Sequence, residues 1–311
     1  MIAFSFFLTL QHAHAEENLW IYTTGTDTRP QGSTELKISN VTRIGKKSGH
    51  YRFNDIRPEI EYGITDRLTV GASVLFFDHN YKVNADNGPG PMVDTQAEHG
   101  GSFNDTQYGG YEVEIKYNVL SPYKDPFGLS LGLGYERRNR YRLDGAQIHQ
   151  YSIVPKIYLQ KNFLDDTLVF AFTGKMEFEK RSSPGVKEDE IAFDLSLGGS
   201  YRVAPKWFVG LEYRYQADYL CPEVDGKCDD EDNVGLERSR LSLSDLKIGS
   251  RHQYGSYFGP TVHYAEKQWW ATAGLLVQIK GGGSPYADVR SGRNWDEHER
   301  YHLGLALGYE F

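Results

Sequence analysis

The sequence lacks the features of several common protein classes. Beyond the first ten residues, no apolar run approaches the roughly 18 residues that a membrane-spanning helix needs. With 2 Cys in 311 residues, disulfides cannot hold a scaffold of this size together, and no CxxC or HExxH spacing indicates a zinc site. A net charge of -8 offers no basic field to nucleic acid. These absences exclude helical membrane proteins, disulfide scaffolds and nucleic-acid-binding proteins, and no motif predicts a cofactor.

The apolar residues that are present are spread at every second position. The chain has 33 Gly, 22 Tyr and 16 Phe, yet its mean hydropathy is -0.56. In the last stretch, 301–311, apolar side chains alternate with His302, Gly304, Ala306, Gly308 and Glu310. Stretches 55–62, 111–118, 127–138 and 168–179 show the same period of two. This period predicts strands with one lipid-facing side and one water-facing side.

Twelve such stretches follow one another, at approximately 33–44, 51–63, 67–80, 107–119, 127–141, 149–161, 167–180, 189–203, 207–217, 253–265, 269–280 and 299–311. Five connections are short, and the six that alternate with them are mostly longer. Outer-membrane barrels have short periplasmic turns, long extracellular loops and an even strand number. The sequence therefore predicts one all-β domain over 33–311, a 12-stranded antiparallel up-and-down transmembrane β-barrel. A soluble β-sandwich, the alternative, need not sort its loops by parity, and its strands are usually shorter.

The N-terminus predicts export. Residues 2–10 form an apolar run, and Ala13-His14-Ala15 follows as an A-x-A cleavage pattern, so 1–15 is predicted to be a signal peptide cleaved near Ala15. The first residues lack the usual Lys or Arg, which leaves the start codon open, and a buried N-terminal strand is the alternative. Residues 16–32 are expected to stay periplasmic or to enter the lumen as a short plug anchored by Trp20 and Tyr22.

Two segments carry a resemblance to a known class. The run 61–68, Glu-Tyr-Gly-Ile-Thr-Asp-Arg-Leu, resembles the strand-turn-strand segment of many porin-like and transporter barrels of Gram-negative bacteria. The terminal strand, which ends on Phe311, is similar to the signal that the barrel assembly machinery of the outer membrane recognises. The resemblance implies an outer-membrane protein in contact with membrane lipid and lipopolysaccharide. It is weak for the substrate.

The inward side chains decide what such a barrel does, because twelve strands enclose more space than the eight-stranded type that side chains fill. The residues predicted to line the pore are Arg57, Glu59, Glu61, Glu112, Glu114, Lys116, Glu136, Arg138, Lys175, Glu177, Asp194, Glu212, Arg214, His263, Lys280 and His302. Both signs occur with acids in the majority, which predicts a narrow channel of slight cation preference for small hydrophilic solutes. Two alternatives stay open, a salt-bridged and partly closed interior, and an anion path along Arg57, Arg138 and Arg214.

The longest predicted loop, 218–252, contains both cysteines. In an oxidising compartment Cys221 and Cys228 are expected to form a local disulfide. Acidic residues follow at 229–232, and carboxylates are ligands that Ca²⁺ accepts, but their spacing does not match an EF-hand loop. A solvated acidic loop is the favoured interpretation, and no metal site is predicted.

An enzyme is the rival class, because some twelve-stranded outer-membrane barrels are lipid hydrolases. Such chemistry needs a nucleophile with a base within reach, and the candidates near the outer rim are His149 with Ser152, and Ser291 and Asn294 with His298. The His-x-Ser-Asn-Gly run of the phospholipase type is absent from the sequence. A structural or adhesive barrel with a closed interior is a third class. The sequence predicts an outer-membrane channel or transporter component rather than an enzyme.

Overall fold

The computed structural model describes residues 18–84, 99, 101–183, 186–224, 227–228, 251, 253–283, 289–290 and 292–311. Its strands are β1 (Thr34–Ile44), β2 (Gly49–Thr65), β3 (Leu68–Val83), β4 (Ser102–Leu120), β5 (Gly128–Arg140), β6 (Gln147–Phe163), β7 (Leu168–Ser183), β8 (Val186–Ala204), β9 (Trp207–Val224), β10 (Lys227–Cys228), β11 (Gln253–Ala265), β12 (Trp269–Gly282), β13 (Val289–Arg290), β14 (Arg293–Asn294) and β15 (Tyr301–Glu310). Among these residues no helix is long and apolar enough to cross a membrane.

Twelve long strands form one closed antiparallel sheet, and the short β10, β13 and β14 lie in the connections. Each long strand pairs with its neighbour along the chain, and β15 pairs with β1 from Glu35↔Glu310 to Ile44↔Tyr301. Closure satisfies the hydrogen bonds that a sheet edge would leave open in lipid. The predicted 12-stranded transmembrane barrel is confirmed, with short turns between β2 and β3, β4 and β5, β6 and β7, β8 and β9, and β11 and β12.

Several strands reach further than their hydrophobic pattern indicates, and they do so at the end away from the short turns. The β9 strand continues to Val224, past the predicted end at 217, because its ladder with β8 extends to Pro222. The pairing of β7 with β8 continues to Ser183↔Val186, which reduces a predicted loop of eight residues to 184–185. Backbone pairing continues where the side chains no longer alternate between lipid and water.

The two faces of the sheet differ in chemistry as the alternation predicts. Tyr301, Leu303, Leu305 and Leu307 of β15 point outward and are exposed. His302, which lies between Tyr301 and Leu303 in sequence, points inward and is fully buried. In a transmembrane barrel the exposed face meets hydrocarbon, and its apolar side chains avoid the cost of placing polar groups in lipid.

The outer part of β2, β3 and β4 reverses this polarity. Its inward face holds a buried cluster formed by Tyr51, Phe53, Leu75, Phe77 and Tyr81. Its outward face carries Arg52 and Asp78, whose Nη2 and Oδ2 lie 3.3 Å apart. An outward ion pair belongs in water, so these strands continue beyond the membrane above the outward aromatic pair Phe76 and Tyr108. The sequence pattern did not predict this aromatic interior.

The lipid-facing assignment gives a direct stability prediction. Replacing Leu305 with Arg is expected to lower the free energy of unfolding by about 2–4 kcal/mol, because the guanidinium would lie in hydrocarbon near the midplane. Leu164→Arg is the matched control, since Leu164 is 67 % exposed in a turn outside the membrane. Urea unfolding in lipid vesicles measures both variants, and equal midpoints would show that the outward face of β15 is assigned wrongly.

Candidate functional site

The N-terminal segment, defined here as residues 18–32, lies inside the barrel at the end of the short turns. The inward carboxylate of Glu212 on β9 accepts hydrogen bonds from the backbone N–H groups of Ile21, Tyr22 and Thr23, at 3.0, 2.8 and 2.7 Å. The hydroxyl of Thr23 donates to the same carboxylate at 2.8 Å. Such charge-assisted bonds are about twice as strong as neutral ones. One buried side chain thus holds three consecutive residues of the segment.

Inward glycines of the wall make room for the apolar side chains of this segment. A Cβ atom at Gly198 of β8 would overlap the indole of Trp20. At Gly274 of β12 and Gly304 of β15 it would overlap the side chain of Ile21. Only glycine permits such close approach, because every other residue carries a Cβ. The wall is therefore complementary in shape to the segment.

Arg29 ties the end of the segment to the seam where the barrel closes. Its guanidinium contacts Glu35 of β1 at 2.6 Å, Glu61 of β2 at 3.2 Å and Glu310 of β15 at 2.7 Å. The Arg29 side chain is only 2 % exposed. This ion-pair network joins the first, second and last strands through one side chain of the N-terminal segment.

The opposite end of the lumen holds two connections, 141–146 and 292–300, which we call the outer segments. The carbonyl of Leu143 accepts from the Tyr51 hydroxyl at 2.8 Å, and Asp144 is fully buried. In the second connection, His298 Nδ1 lies 2.7 Å from Gln216 Nε2, and Asp296 accepts from Ser48 at 2.5 Å. The last loop thus packs into the pore mouth.

His298 makes the packing of this outer segment sensitive to acid. Burial lowers the pKa of His298 to about 3 from its usual 6.5, and nearby Lys46 acts in the same direction, whereas Glu299 opposes it. The stability that neutral His298 provides is present above pH 6.5 and is lost as the pH falls from 6.5 towards 3, because only the unfolded chain takes up the proton there.

We therefore expect the unfolding midpoint of the wild-type chain to fall more steeply than that of His298→Gln between pH 6.5 and 4. The difference in unfolding free energy is expected to reach about 1.4 kcal/mol per pH unit. His149→Gln is the control, because His149 is an exposed residue of β6. Parallel profiles for wild type and His298→Gln would contradict a buried neutral imidazole.

A central cavity of about 250 Å³ lies between the N-terminal segment and the outer segments. Eight basic side chains line it, namely Lys37, Arg43, Arg57, Lys116, Arg142, Lys156, Lys175 and Arg214. Eight acidic side chains line it as well, namely Asp55, Glu59, Glu61, Glu112, Glu114, Glu136, Glu177 and Asp194. The equal numbers remove the acidic excess on which the expected cation preference rests.

The predicted arginine path for anions is neutralised by carboxylates. Arg57 contacts Asp55 and Glu112, each at 2.9 Å. Arg214 forms two bonds with Asp194, at 2.9 and 3.0 Å, and its guanidinium lies 3.8 Å over the ring of Tyr22. Arg138 is surrounded likewise by Glu136, Glu177 and Glu179. These arginines serve the ion-pair network of the wall and do not form a free ladder.

Fifteen of the sixteen residues predicted to line the pore lie on the inward face, among them His263, which contacts Thr272, and His302, which contacts Tyr22. Lys280 is the exception and is exposed. The ladder between β11 and β12 shifts between Ser256 and Tyr257, so Ser256 pairs with Lys280 but Tyr257 pairs with Gln278. This β-bulge adds one residue to β12 and turns Lys280 to the outer face.

Several inward charges of the same network are not among the residues predicted to line the pore. Lys37 and Arg43 alternate on β1 with the outward Leu36 and Ile38, a signal that was available in the pattern. Glu35 is likewise inward. Arg29 could not be found from a period of two, because the N-terminal segment is not a strand.

Three glutamates of the cavity wall lie close enough to hold a metal ion. Carboxylate oxygens of Glu59, Glu61 and Glu114 lie within 4.8 Å of one another. The ammonium of Lys37 is 3.1 Å from both Glu59 and Glu61, and Lys156 contacts Glu114. The trio already has basic partners and belongs to the ion-pair network.

Other predicted sites find less support. His149 points outward and Ser152 inward on β6, so these two side chains lie on opposite faces and cannot act as a nucleophile and base pair. Ser291, the acidic run 229–232 and the side chains of Cys221 and Cys228 lie outside the described residues, so the disulfide stays a prediction. Phe311 is 67 % exposed at the end of the chain.

Comparisons with known proteins agree with the architecture. One protein family matches residues 12–311, and no curated protein matches the chain. The COG4313 outer membrane channel from Pseudomonas putida F1 is similar in structure, with a TM-score of 0.60, 12 % identity and coverage of 92 % of this chain and 98 % of that chain. The β domain of the Bordetella autotransporter BrkA is also similar, with a TM-score of 0.51, 11 % identity and coverage of 91 % of this chain and 100 % of that chain. At these identities the likeness shows the fold alone.

Proposed function

The chain belongs to the family of unknown function DUF6662, and we propose that it forms an outer-membrane channel, or the barrel of a transporter, for small hydrophilic solutes. The observation that carries this proposal is a charged cavity inside a transmembrane barrel. The cavity is closed at its two ends by the N-terminal segment and the outer segments, which are not strands of the barrel wall. A barrel needed only as a scaffold gains nothing from burying so many charges, since desolvation makes them expensive. The similar structure from Pseudomonas putida F1 is that of an outer membrane channel.

The N-terminal segment acts in this proposal as a plug that closes the lumen at the periplasmic end. Its backbone is held largely by hydrogen bonds to side chains of the wall, such as those to Glu212, Gln160 and Thr173. Water can replace such bonds when the segment leaves, so withdrawal costs less than opening the sheet would. The backbone ladder of the wall contains no residue of the segment, and it would persist as long as Arg29 stays at the seam.

Export and assembly complete the proposal. Residues 1–15 act as a signal peptide cleaved near Ala15, and the strand that ends on Phe311 is recognised by the barrel assembly machinery. The mature barrel resides in the outer membrane of a Gram-negative bacterium, among lipid and lipopolysaccharide. These expectations rest on the sequence pattern and on the barrel fold.

Single-channel recording of the mature chain in a planar bilayer tests the proposed function. We expect brief openings separated by long closed intervals, because the lumen conducts only while the plug is displaced. Mild urea is expected to lengthen the openings before the barrel unfolds. A folded chain that stays silent at every voltage and urea concentration would favour the closed structural barrel instead.

A further inference from the structure

We propose that the central cavity binds a small solute bearing a carboxylate or phosphate group, and that Arg43 and Lys175 are the side chains that hold it. This inference rests on the proposed function and assigns a substrate class to it. Arg43 and Lys175 lie on β1 and β7 and both line the cavity. In the ring of twelve long strands, β7 is the sixth strand from β1 in either direction, so the two side chains come from opposite walls of the barrel.

The charges of the cavity are equal in number but unequal in pairing. Each of the eight acidic side chains has a basic partner within 4 Å, including Glu59 with Lys37 and Asp194 with Arg214. Among the basic side chains, Lys116 donates to the carbonyl of Gly25 at 2.9 Å. Within the described residues, the side chains of Arg43 and Lys175 have neither an ion pair within 4 Å nor a hydrogen bond. The cavity side chains left without a partner are therefore cationic, which favours an anion over a cation as ligand.

The carboxylates around Lys175 are already committed to other cations. Its cross-strand partner Asp194 binds both Nε and Nη2 of Arg214. On the neighbouring strand β6, the cross-strand partner of Lys175 is another cation, Lys156, which contacts Glu112 and Glu114. The Lys175 ammonium is thus left among paired groups. Lys175 is half-buried, so its ammonium has lost part of its hydration without gaining a partner, and an anion in the cavity supplies that partner.

Arg43 shows the same condition on the facing wall. Its Nε is buried without a hydrogen-bond partner, and its guanidinium lies 5.7 Å from the ring of Phe53. The acid nearest along the inward face of β2, Asp55, is held by Arg57 through two bonds at 2.9 and 3.1 Å. Glu299 acts on Arg43 electrostatically without forming an ion pair with it within 4 Å, and its carboxylate contacts Lys46 and His302. A guanidinium with no hydrogen-bonded acid offers a planar fork of donors that matches a carboxylate or phosphate.

Binding of defined probes to the full mature chain in detergent tests the inference. Succinate and inorganic phosphate are the anionic probes, putrescine is the cationic probe and glycerol the neutral one, each equilibrated overnight so that entry past the plug does not limit binding. We expect a saturable rise of the unfolding temperature with succinate or phosphate and none with putrescine or glycerol. The anion that binds more tightly, succinate or phosphate, shows whether the site prefers a carboxylate or a phosphate group.

Variants locate the site. Lys175→Met and Arg43→Met are each expected to weaken anion binding at least about tenfold, the loss of one charge-assisted hydrogen bond. Lys267→Met removes the same charge from an exposed turn and should leave affinity unchanged. If Arg43→Met fails to fold, Lys175→Met alone carries the test.

Three results would overturn the inference: no anion effect on the wild-type chain, equal affinity in all variants, or stabilisation by putrescine. If the wild-type chain conducted but bound no anion, the anion site alone would be rejected and the channel would stand. Anion binding to a barrel that never conducts would reject the channel and keep the site.

Discussion

Deleting residues 18–28 from the mature chain is expected to convert brief openings into a steady conductance. The deletion removes Trp20, Tyr22 and the backbone groups that Glu212 holds, yet it keeps Arg29 and all twelve wall strands. The deletion uncovers the apolar wall residues Val169, Ala171 and Phe208, which pack on Leu19 and Trp20. The other wall groups that held the segment, such as Glu212, Gln160 and Thr173, are polar and become hydrated, and the twelve-strand ladder is retained, so the barrel is expected to remain folded. Planar-bilayer recording at fixed salt measures the conductance, and urea unfolding of the same preparation measures stability.

Point variants distinguish the effect of displacing the plug from the effect of shortening the chain. Gly198→Val places side-chain atoms where the Trp20 indole lies, and Gly304→Val does the same for Ile21, so both are expected to displace the segment and raise the open fraction. Gly101→Val serves as the control for glycine replacement, because Gly101 is exposed and an added Cβ there makes only ordinary van der Waals contact with Val83. A deletion variant as quiet as the full chain would show that the outer segments alone close the lumen.

The sequence predicted the wall far better than it predicted the contents of the lumen. The wall follows from a period of two, since each strand must present apolar groups to lipid and polar groups to water. The predicted stretch 253–265 coincides with β11, and 33–44 differs from β1 by one residue. Register irregularities escaped this argument, and Lys280 was placed on the wrong face because a bulge leaves no mark in the pattern.

The contents of the lumen depend on contacts between residues far apart in sequence. Arg29 meets Glu310 across 281 residues, and Thr23 meets Glu212 across 189. No local spacing encodes such pairs, and the N-terminal segment has no hydrophobic period of its own. The sequence could therefore name the inward charges but could not tell which of them are partners. That pairing separates the neutralised Arg57 and Arg214 from the unpartnered Arg43 and Lys175.

Arg29 is placed to couple the plug to the stability of the barrel. Burying three carboxylates at one seam is tolerable only while a cation lies among them, since an uncompensated buried charge costs several kcal/mol. Lys37 also contacts Glu61, but within the described residues Glu35 has Arg29 as its only ion-pair partner. The segment that closes the lumen thus also neutralises the strands that close the sheet.

Replacing Arg29 with Met is accordingly expected to lower the free energy of unfolding by about 3–5 kcal/mol, because it leaves Glu35 and its neighbours without their shared cation. The end of the plug is also released, so the open fraction in planar bilayers should rise. Arg67→Met is the matched control, since Arg67 is an exposed residue of the turn between β2 and β3. Urea unfolding in vesicles measures the difference. If the two variants unfolded at the same midpoint, the seam carboxylates would have to be stabilised without Arg29, and its role in joining plug and wall would be lost.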